Sequence, residues 1–458
     1  MQEQKTEVVI LAAGKGTRMY SNTPKVLHNI AGKTMLEHVI VTAKKISSEP
    51  IHLIYGHGGE RLKDLINDSQ IDWTEQKEQL GTGHAVKQVI DKINPENNIL
   101  ILYADVPLLT AETLEALILC KQSSSIALLT ASFEQPGGYG RIIRDKAGNI
   151  VKITEEKDAT EIEKLIREIN TGIMLISGQF FSTWLNRIDN NNAQQEYYLT
   201  DIVELAIVDK QQISSYITTN IDEVFGVNNK QQLAYLERQY QRMQANKLLI
   251  NGTTLADPER IDIRGTLTVG KDVKIDINVI FEGDCYIGDN VVIEANSVIR
   301  NSTIGNNSTI FVNSLIEDSI VESNCQIGPY ARLRPQTHLK ESVKVGNFVE
   351  IKKSTIEAES KVNHLTYIGD TEMGSRVNVG AGTITCNYDG ANKHLTQIGD
   401  NVFIGSNSAL VAPVIIEANA TIAAGSTITK TVADSNLAIT RTKQISIENW
   451  QRPSKNKQ

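Results

Sequence analysis

Val321–Ile351 reads VESNCQIGPYARLRPQTHLKESVKVGNFVEI, and the spacing of its aliphatic residues decides the fold of half the chain. Val321, Ile327, Leu333, Leu339, Val345 and Ile351 stand six residues apart. The same step joins Val269, Ile275, Phe281, Ile287, Ile293 and Ile299, and again Ile398, Ile404, Leu410, Ile416, Ile422 and Ile428. Gly often follows the aliphatic residue, as at Gly270, Gly288, Gly328, Gly346, Gly399 and Gly405. A helix of roughly 3.6 residues per turn cannot hold a six-residue period on one face, whereas the two-residue period of a strand can. Short strands must therefore turn and stack, which predicts a left-handed parallel β-helix with its aliphatic residues pointing inward as ladders. Three six-residue sides per coil, stacked about 4.8 Å apart, make roughly ten coils. An ordinary sandwich with accidental periodicity does not fit so regular a repeat.

The repeat breaks between Val379 and Ile398, where Ala381–Gln397 reads AGTITCNYDGANKHLTQ. This stretch is too polar for a core, and insertions into a repeat map to surface loops that are often the binding face. Upstream, Gln231–Ile250 carries Leu233, Leu236, Tyr240, Met243 and Leu248 at helical spacing among Gln, Arg and Glu, and ends at Asn251-Gly252. The first half has a different grammar. Strands are expected at Glu7–Ala13, Ile51–Gly56 and Asn98–Tyr103, and helices at Thr34–Lys45, Gly58–Asn67 and Gly83–Ile93. Such alternation implies an α/β, Rossmann-like domain with a mostly parallel sheet covered on both faces, whose ligands sit at the carboxyl ends of strands. The expected plan is a nucleotidyltransferase-type domain over 1–230, a helical linker over 231–251 and the repeat domain over 252–458.

The bulk properties bound the partners. A chain of 458 residues is too long for one core, and its net charge of −8 argues against a general grip on nucleic acid. The first apolar run, Val8–Ala13, is far too short for a signal segment or a membrane span, so a cytoplasmic protein with no membrane span is expected. The four cysteines, Cys120, Cys285, Cys325 and Cys386, are scattered with no C-x-x-C pair, which favours reduced thiols over disulfides or zinc.

The first strand runs into Gly14-Lys15-Gly16-Thr17-Arg18, where glycines let backbone amides approach phosphate oxygens and Lys and Arg supply charge. Alone, this loop is an anion site or a tight turn: it lacks the third glycine of the dinucleotide fingerprint and the spacing of a P-loop. Pro24-Lys25 adds a second cation, and Gln79-Leu80-Gly81-Thr82-Gly83-His84 is another glycine-rich turn before a helix. In Tyr103-Ala104-Asp105-Val106-Pro107 an acid closes a strand. Such an Asp is a natural Mg²⁺ ligand, because Mg²⁺ takes one or two carboxylates plus substrate phosphates; the plainer reading is a turn or cap residue.

The L-A-A-G-K-G-T-R-M…P-K set resembles the sugar-1-phosphate nucleotidyltransferases. Joined to Gln76, Gly81-Thr82, Y-x-D-V-P, Gly138–Arg141, Glu155, Asn170–Gly172, Glu196–Tyr198 and Gly226–Asn229, it resembles one family across essentially the whole chain. That family is the bifunctional N-acetylglucosamine-1-phosphate uridylyltransferase/glucosamine-1-phosphate N-acetyltransferase. The resemblance implies acetylation of glucosamine-1-phosphate by acetyl-CoA. Uridylyl transfer from UTP to N-acetylglucosamine-1-phosphate follows, yielding UDP-N-acetylglucosamine for cell-wall precursors. It also implies that Leu11, Ala12, Ala13, Gly14, Gln76, Gly81, Thr82, Tyr103 and Ala104 hold the nucleotide. Arg18, with a catalytic part, and Lys25 neutralise the triphosphate. Asp105 and Asn228 hold Mg²⁺, and Gly140, Glu155 and Asn170 hold the sugar. Ala104 departs from the family, which commonly has Gly there.

In the repeat domain, His338, His364 and His394 read as structural residues or, together, as an inter-subunit metal site. Their spacing matches no ligand pattern. The run Ala381–Gly390 with Asn392-Lys393 resembles the family's acetyltransferase loop. By that resemblance His364 is the general base. Arg334, Lys352, Tyr367, Asn378 and Lys393 bind glucosamine-1-phosphate, and Ala381, Asn387, Tyr388, Ser406, Ala424 and Arg441 line the acetyl-CoA groove. The family is trimeric, so a homotrimer is expected. The runner-up is a single-activity nucleotidyltransferase whose β-helix is only a scaffold; it leaves the insertion and His364 without a purpose.

Overall fold

In the computed structural model, which describes residues 5–14, 16–56 and 59–453, the chain divides into two compact units, Met1–Tyr240 and Gln241–Gln458. The first is built on strands β1 (Thr6–Ala12), β2 (Ile51–Tyr55), β3 (Ile71–Glu75), β4 (Asn98–Tyr103), β5 (Ile126–Ser132), β6 (Gly140–Arg144), β7 (Ile150–Thr154), β8 (Glu168–Ser177) and β9 (Ile213–Thr218). The main sheet runs β9-β5-β8-β4-β1-β2-β3, with β6 added to β8 and β7 to β6. Strand β1 shows why its sequence reads as one apolar run. Val8, Ile10 and Ala12 face one core layer, and Val9 and Leu11 the other, so neither face sees water. The sheet is mixed rather than uniformly parallel, because β8 runs antiparallel to both β4 and β5.

Helix α1 (Met35–Ile46) starts on a capping box: the Thr34 hydroxyl accepts from Glu37 N at 3.1 Å, and the Glu37 carboxylate accepts from Thr34 N at 2.7 Å. Two helices are shorter than their sequence suggests. Helix α2 spans Glu60–Leu65, and helix α3 covers only Thr82–Lys87 before a separate 3₁₀ turn at Ile90–Lys92. From β1 the chain moves outward through β2 and β3, then returns to the other side of β1 at β4. The carboxyl ends of β1 and β4 therefore flank the reversal point of the sheet, where α/β folds bind ligands.

Helix α4 (Lys230–Ile250) crosses the division between the units. In the first unit Glu237 accepts from Ala31 N at 2.7 Å, and in the second the buried Gln241 exchanges hydrogen bonds with the Ile263 backbone.

The second unit is a left-handed parallel β-helix. Its strands pair in register 17 or 18 residues apart, as in Lys274↔Val292↔Thr309↔Gln326↔Lys344. Ile275, Ile293, Ile310, Ile327, Val345 and Val362 form one inward ladder, each no more than 2% exposed. Each contributes about 1.5–3 kcal/mol as an upper estimate, which the stacking repeats from coil to coil. Corners turn on residues of positive φ three positions past an inward aliphatic, with Asn at many of them, such as Asn278, Asn290, Asn296, Asn307 and Asn313, and other residues such as Tyr330, Gln336 and Phe348 further along. Asn tolerates that conformation better than other side-chain-bearing residues. At the insertion the step widens to 25 residues, as in Asn378↔Phe403 and Ile384↔Ala409. Thr385 takes a ladder position there, and its hydroxyl accepts from Gly369 N at 2.7 Å.

Candidate active sites

The first cluster forms where β1 and β4 end side by side, with Leu11 opposite Tyr103. Ala104 N donates to Leu11 O at 3.0 Å, and the Ala104 methyl is fully buried. The methyl therefore packs into the core beneath the strand ends, and Asp105 follows it at the rim. Lys25 Nζ lies 2.5 Å from Asp105 Oδ2 and 3.3 Å from Asn228 Oδ1; Arg18 donates to the same Asn228 oxygen at 3.0 Å. Residues from four separate loops thus meet at one point. Gly16 permits this meeting: a side chain there would lie 2.7 Å from Lys25 Cβ, on a backbone at φ 60. Lys15 lies outside the described residues.

The Lys25 ammonium is a cation held between a carboxylate oxygen and an amide oxygen, a donor pair suited to Mg²⁺ once phosphate oxygens complete the shell. Asn228 is itself fixed by Gln232, whose side chain accepts from Asn228 N at 2.7 Å. Gln232 is a residue that motif reading missed. Its signal was the i+4 step onto the helix Lys230–Ile250.

A cleft of about 360 Å³ opens beside this point, lined among others by Leu11, Gly14, Gln76, Gly81, Thr82 and Asp105. Gln76 is buried, and Thr82 is held in place by accepting from Leu199 N at 3.1 Å. Gly140 and Asn170 are neighbours across β6 and β8. The Glu155 carboxylate lies beside Gly140 and accepts from Thr200 at 3.0 Å. Burial pushes the Glu155 carboxyl up from its usual range, with the Asp158 charge adding to it. Tyr103 joins the two groups: burial, then the charges of Glu155 and Asp105, push its phenol up, so it stands neutral between two acids.

The second cluster belongs to the β-helix. His364 is exposed and stands opposite Asn347 of the preceding coil, with its Nδ1 3.0 Å from Asn347 Oδ1. One column of hydrogen bonds rises from it along a coil corner. His364 O accepts from Gly382 N, Ala381 O from Asn407 N, Ser406 O from Gly425 N and Ala424 O from the Arg441 guanidinium. Ala381, Ser406, Ala424 and Arg441, scattered over 61 positions of sequence, thereby line up above His364.

On an adjoining side Arg334, Lys352 and Gly369 stack in register. The ammonium of Lys393, with Arg334 further off, pushes Lys352 down from the usual lysine range. Three cations crowded this way suit a dianionic phosphate. Gly369 has no room for a side chain, since the Tyr367 hydroxyl would be 2.4 Å from its Cβ.

Three further expected residues have neighbours of their own. Asn378 is in register with Lys361 and Phe403, not in the stack of Arg334 and Lys352. Asn387 is buried beside Gly369, with its amide bonded to Asp370 at 2.6 Å. Tyr388 is exposed on the insertion, and its hydroxyl donates to Gly390 O at 2.5 Å. The three histidines have separate partners, Glu322 for His338, Asn347 for His364 and Asp389 for His394. Among the described residues no three His, Cys, Asp or Glu gather as a metal site. The cysteines are all free, with Cys285 and Cys325 buried and Cys120 and Cys386 partly so.

The folds and clusters define a nucleotidyltransferase domain joined to a hexapeptide-repeat transferase domain. Residues 8–169 match the MobA-like NTP transferase domain, 263–364 the GMPPB C-terminal domain and 395–430 the bacterial transferase hexapeptide of six repeats. Over 453 residues, 99% of both chains, the protein is 54% identical to the bifunctional protein GlmU of Idiomarina loihiensis. The chain belongs to the GlmU family, and its two activities, nucleotidyl transfer and acetyl transfer, each have a domain.

Proposed function

We propose that the first cluster transfers uridylyl from UTP to N-acetylglucosamine-1-phosphate, and that the second acetylates glucosamine-1-phosphate with acetyl-CoA. The observation that carries this is that each matched domain gathers its own set of expected residues, around Lys25 in one and above His364 in the other. A scaffold β-helix accounts for neither the insertion nor the column.

In the first reaction a phosphate oxygen of the sugar attacks the α-phosphorus of UTP, and pyrophosphate leaves. Such transfers depend mainly on positioning and charge neutralisation. Gln76, Gly81 and Thr82 hold the base, and Leu11 to Gly14 the nucleoside. Glu155, Gly140 and Asn170 hold the sugar. Arg18 and Lys25 take up the negative charge of the triphosphate. Asp105 and Asn228 would hold Mg²⁺, which supplies further neutralisation of the phosphate oxygens when bound.

In the second reaction the 2-amino group attacks the thioester carbonyl and must lose a proton. Asn347 Oδ1 accepts from His364 Nδ1–H, which leaves the lone pair on Nε2 facing outward as the base. Arg334, Lys352 and Lys393 hold the phosphate. The Ala381–Ser406–Ala424 column offers acetyl-CoA a flat, small-residue wall, with Arg441 at its end.

We place the enzyme in the cytoplasm. Among the described residues no helix is long and apolar enough to cross a membrane. It acts as a homotrimer, and its activities divide at α4, with residues before it uridylylating and those after it acetylating. The test is an assay of both half-reactions on one purified sample. Absence of acetyl-CoA-dependent thiol release would return the β-helix to a scaffold.

A further inference from the structure

The Gln76 carboxamide is held in one orientation. Its Nε2 lies 3.2 Å from Gly81 O and 3.0 Å from His84 Nδ1. A carbonyl oxygen only accepts, so the atom facing Gly81 is the amide nitrogen. The same nitrogen meets His84 Nδ1, which must therefore carry a lone pair, with the ring proton on Nε2. At the second ring nitrogen stands the exposed Gln88 amide nitrogen, 3.3 Å away, which donates instead to the His84 carbonyl at 3.0 Å; the shorter contact, from the buried Gln76 amide, fixes the tautomer. With both amide hydrogens occupied, Gln76 Oε1 remains. Gln76 is 2% exposed and lines the cleft, and among the described residues no group donates to Oε1. The cleft is thus offered an acceptor.

We propose that His84 is a positioning residue for base selection, holding the Gln76 carbonyl toward the nucleobase so that it accepts from the N3–H of uracil. This rests on the cleft being the nucleotide site. Cytosine has a lone pair at N3, which would face the Gln76 oxygen. An amide free to rotate would turn its NH₂ to cytosine as readily as its oxygen to uracil, and the discrimination would fall. Polar groups left unpaired in a site are what reject the wrong substrate. His84 touches no substrate in this scheme: it lies behind Gln76, with its ring centroid 6.3 Å from that of Tyr197.

The experiment compares UTP with CTP as nucleotidyl donor to N-acetylglucosamine-1-phosphate, in the full-length chain and in His84→Ala, His84→Lys, His84→Gln and Gln76→Ala. One lost hydrogen bond corresponds to roughly a tenfold change. His84→Ala should raise the KM for UTP and lower the UTP:CTP ratio of kcat/KM about tenfold, with kcat changed by no more than about twofold. His84→Lys sets a donor against the amide NH₂ and should lower the ratio further. His84→Gln supplies a carbonyl that can accept, and should recover part of it. Circular dichroism and a thermal melt of the same samples report whether the first unit of each variant is folded, and His84→Gln, the smallest change, keeps the test open if His84→Ala is not. An unchanged ratio in the His84 variants, or an equal loss on both nucleotides, overturns the proposal if Gln76→Ala still lowers the ratio. If Gln76→Ala leaves the ratio intact as well, the nucleotide-site assignment itself fails.

Discussion

His364 Nδ1 lies 3.0 Å from Oδ1 of Asn347, the residue that stands opposite it one coil earlier. The parallel register of the β-helix makes this contact, since 17 residues of sequence separate the two. The asparagine fixes the tautomer, and the tautomer puts the basic nitrogen outward.

His364→Ala should therefore abolish acetyl transfer, by about 10²–10⁴-fold, and leave uridylyl transfer intact. Asn347→Ala should lower acetyl transfer less, about tenfold, because the ring survives but loses its orientation. Thiol release from acetyl-CoA, measured beside a uridylyl assay, checks both. Near-wild-type acetylation by His364→Ala would remove the base.

Asp105→Asn keeps the size of the side chain and removes its charge. Lys25 loses its 2.5 Å ionic partner and the proposed Mg²⁺ site its only carboxylate. Uridylyl transfer should collapse while acetyl transfer continues. Equal loss of both in a folded variant contradicts the assignment.

The two activities should separate on truncation, and the cut matters. A fragment ending at residue 250 keeps Glu237 on Ala31 N and the ring of Tyr240 5.1 Å from that of His38. It should uridylylate at near-full rate without acetylating. One ending at residue 230 loses both contacts and should melt at lower temperature. Loss of uridylyl transfer in a well-folded 1–250 fragment would show that the units are not independent.

Asp201 gives a pH dependence. Burial, followed by the charges of Glu204, Asp189 and Glu155, raises its carboxyl to about 7. The folded state then binds this proton where the unfolded chain, with an ordinary Asp, has released it. Stability from this group falls as pH rises from about 4 toward 7. Asp201→Asn should accordingly raise the melting temperature at pH 8 more than at pH 5. A larger gain at pH 5 would show that the carboxyl ionises normally.

The six-residue period exposed the β-helix because every coil repeats the same inward requirement, so Ile275, Ile293 and Ile310 are readable without any partner. The corners are written less plainly, since Asn marks those such as Asn278 and Asn307 but residues such as Tyr330, Phe348 and Leu365 turn the same way. Helix α3 proved harder. Gly83–Ile93 carries helical spacing, yet the chain stops being α-helical after Lys87 and turns into 3₁₀. The resemblance pointed to Lys25, Asp105 and Asn228, but their meeting at one point depends on three loops and could not be read locally. Asn347 escaped for the same reason, since it meets His364 only through the stacking of coils, whereas Gln232 and His84 stand near in sequence and reach Asn228 and Gln76 from the first turn of a helix. Asn387 shows the converse, a motif residue whose side chain is spent on Asp370 inside the fold.

The column above His364 also works as a ruler. His364, Ala381, Ser406 and Ala424 occupy four successive coils, so three strand spacings of about 4.8 Å separate the first from the last, about 14 Å in all. Distance along this wall comes only in whole coils. Residues can be gained at a corner, as the insertion shows, without altering it. Losing one complete coil would leave every ladder intact and still bring the far end of the wall one strand spacing closer to the histidine. If acetyl-CoA lies along this wall as proposed, its length is measured by a count of repeats, and selection on that length acts on the number of coils rather than on any single side chain.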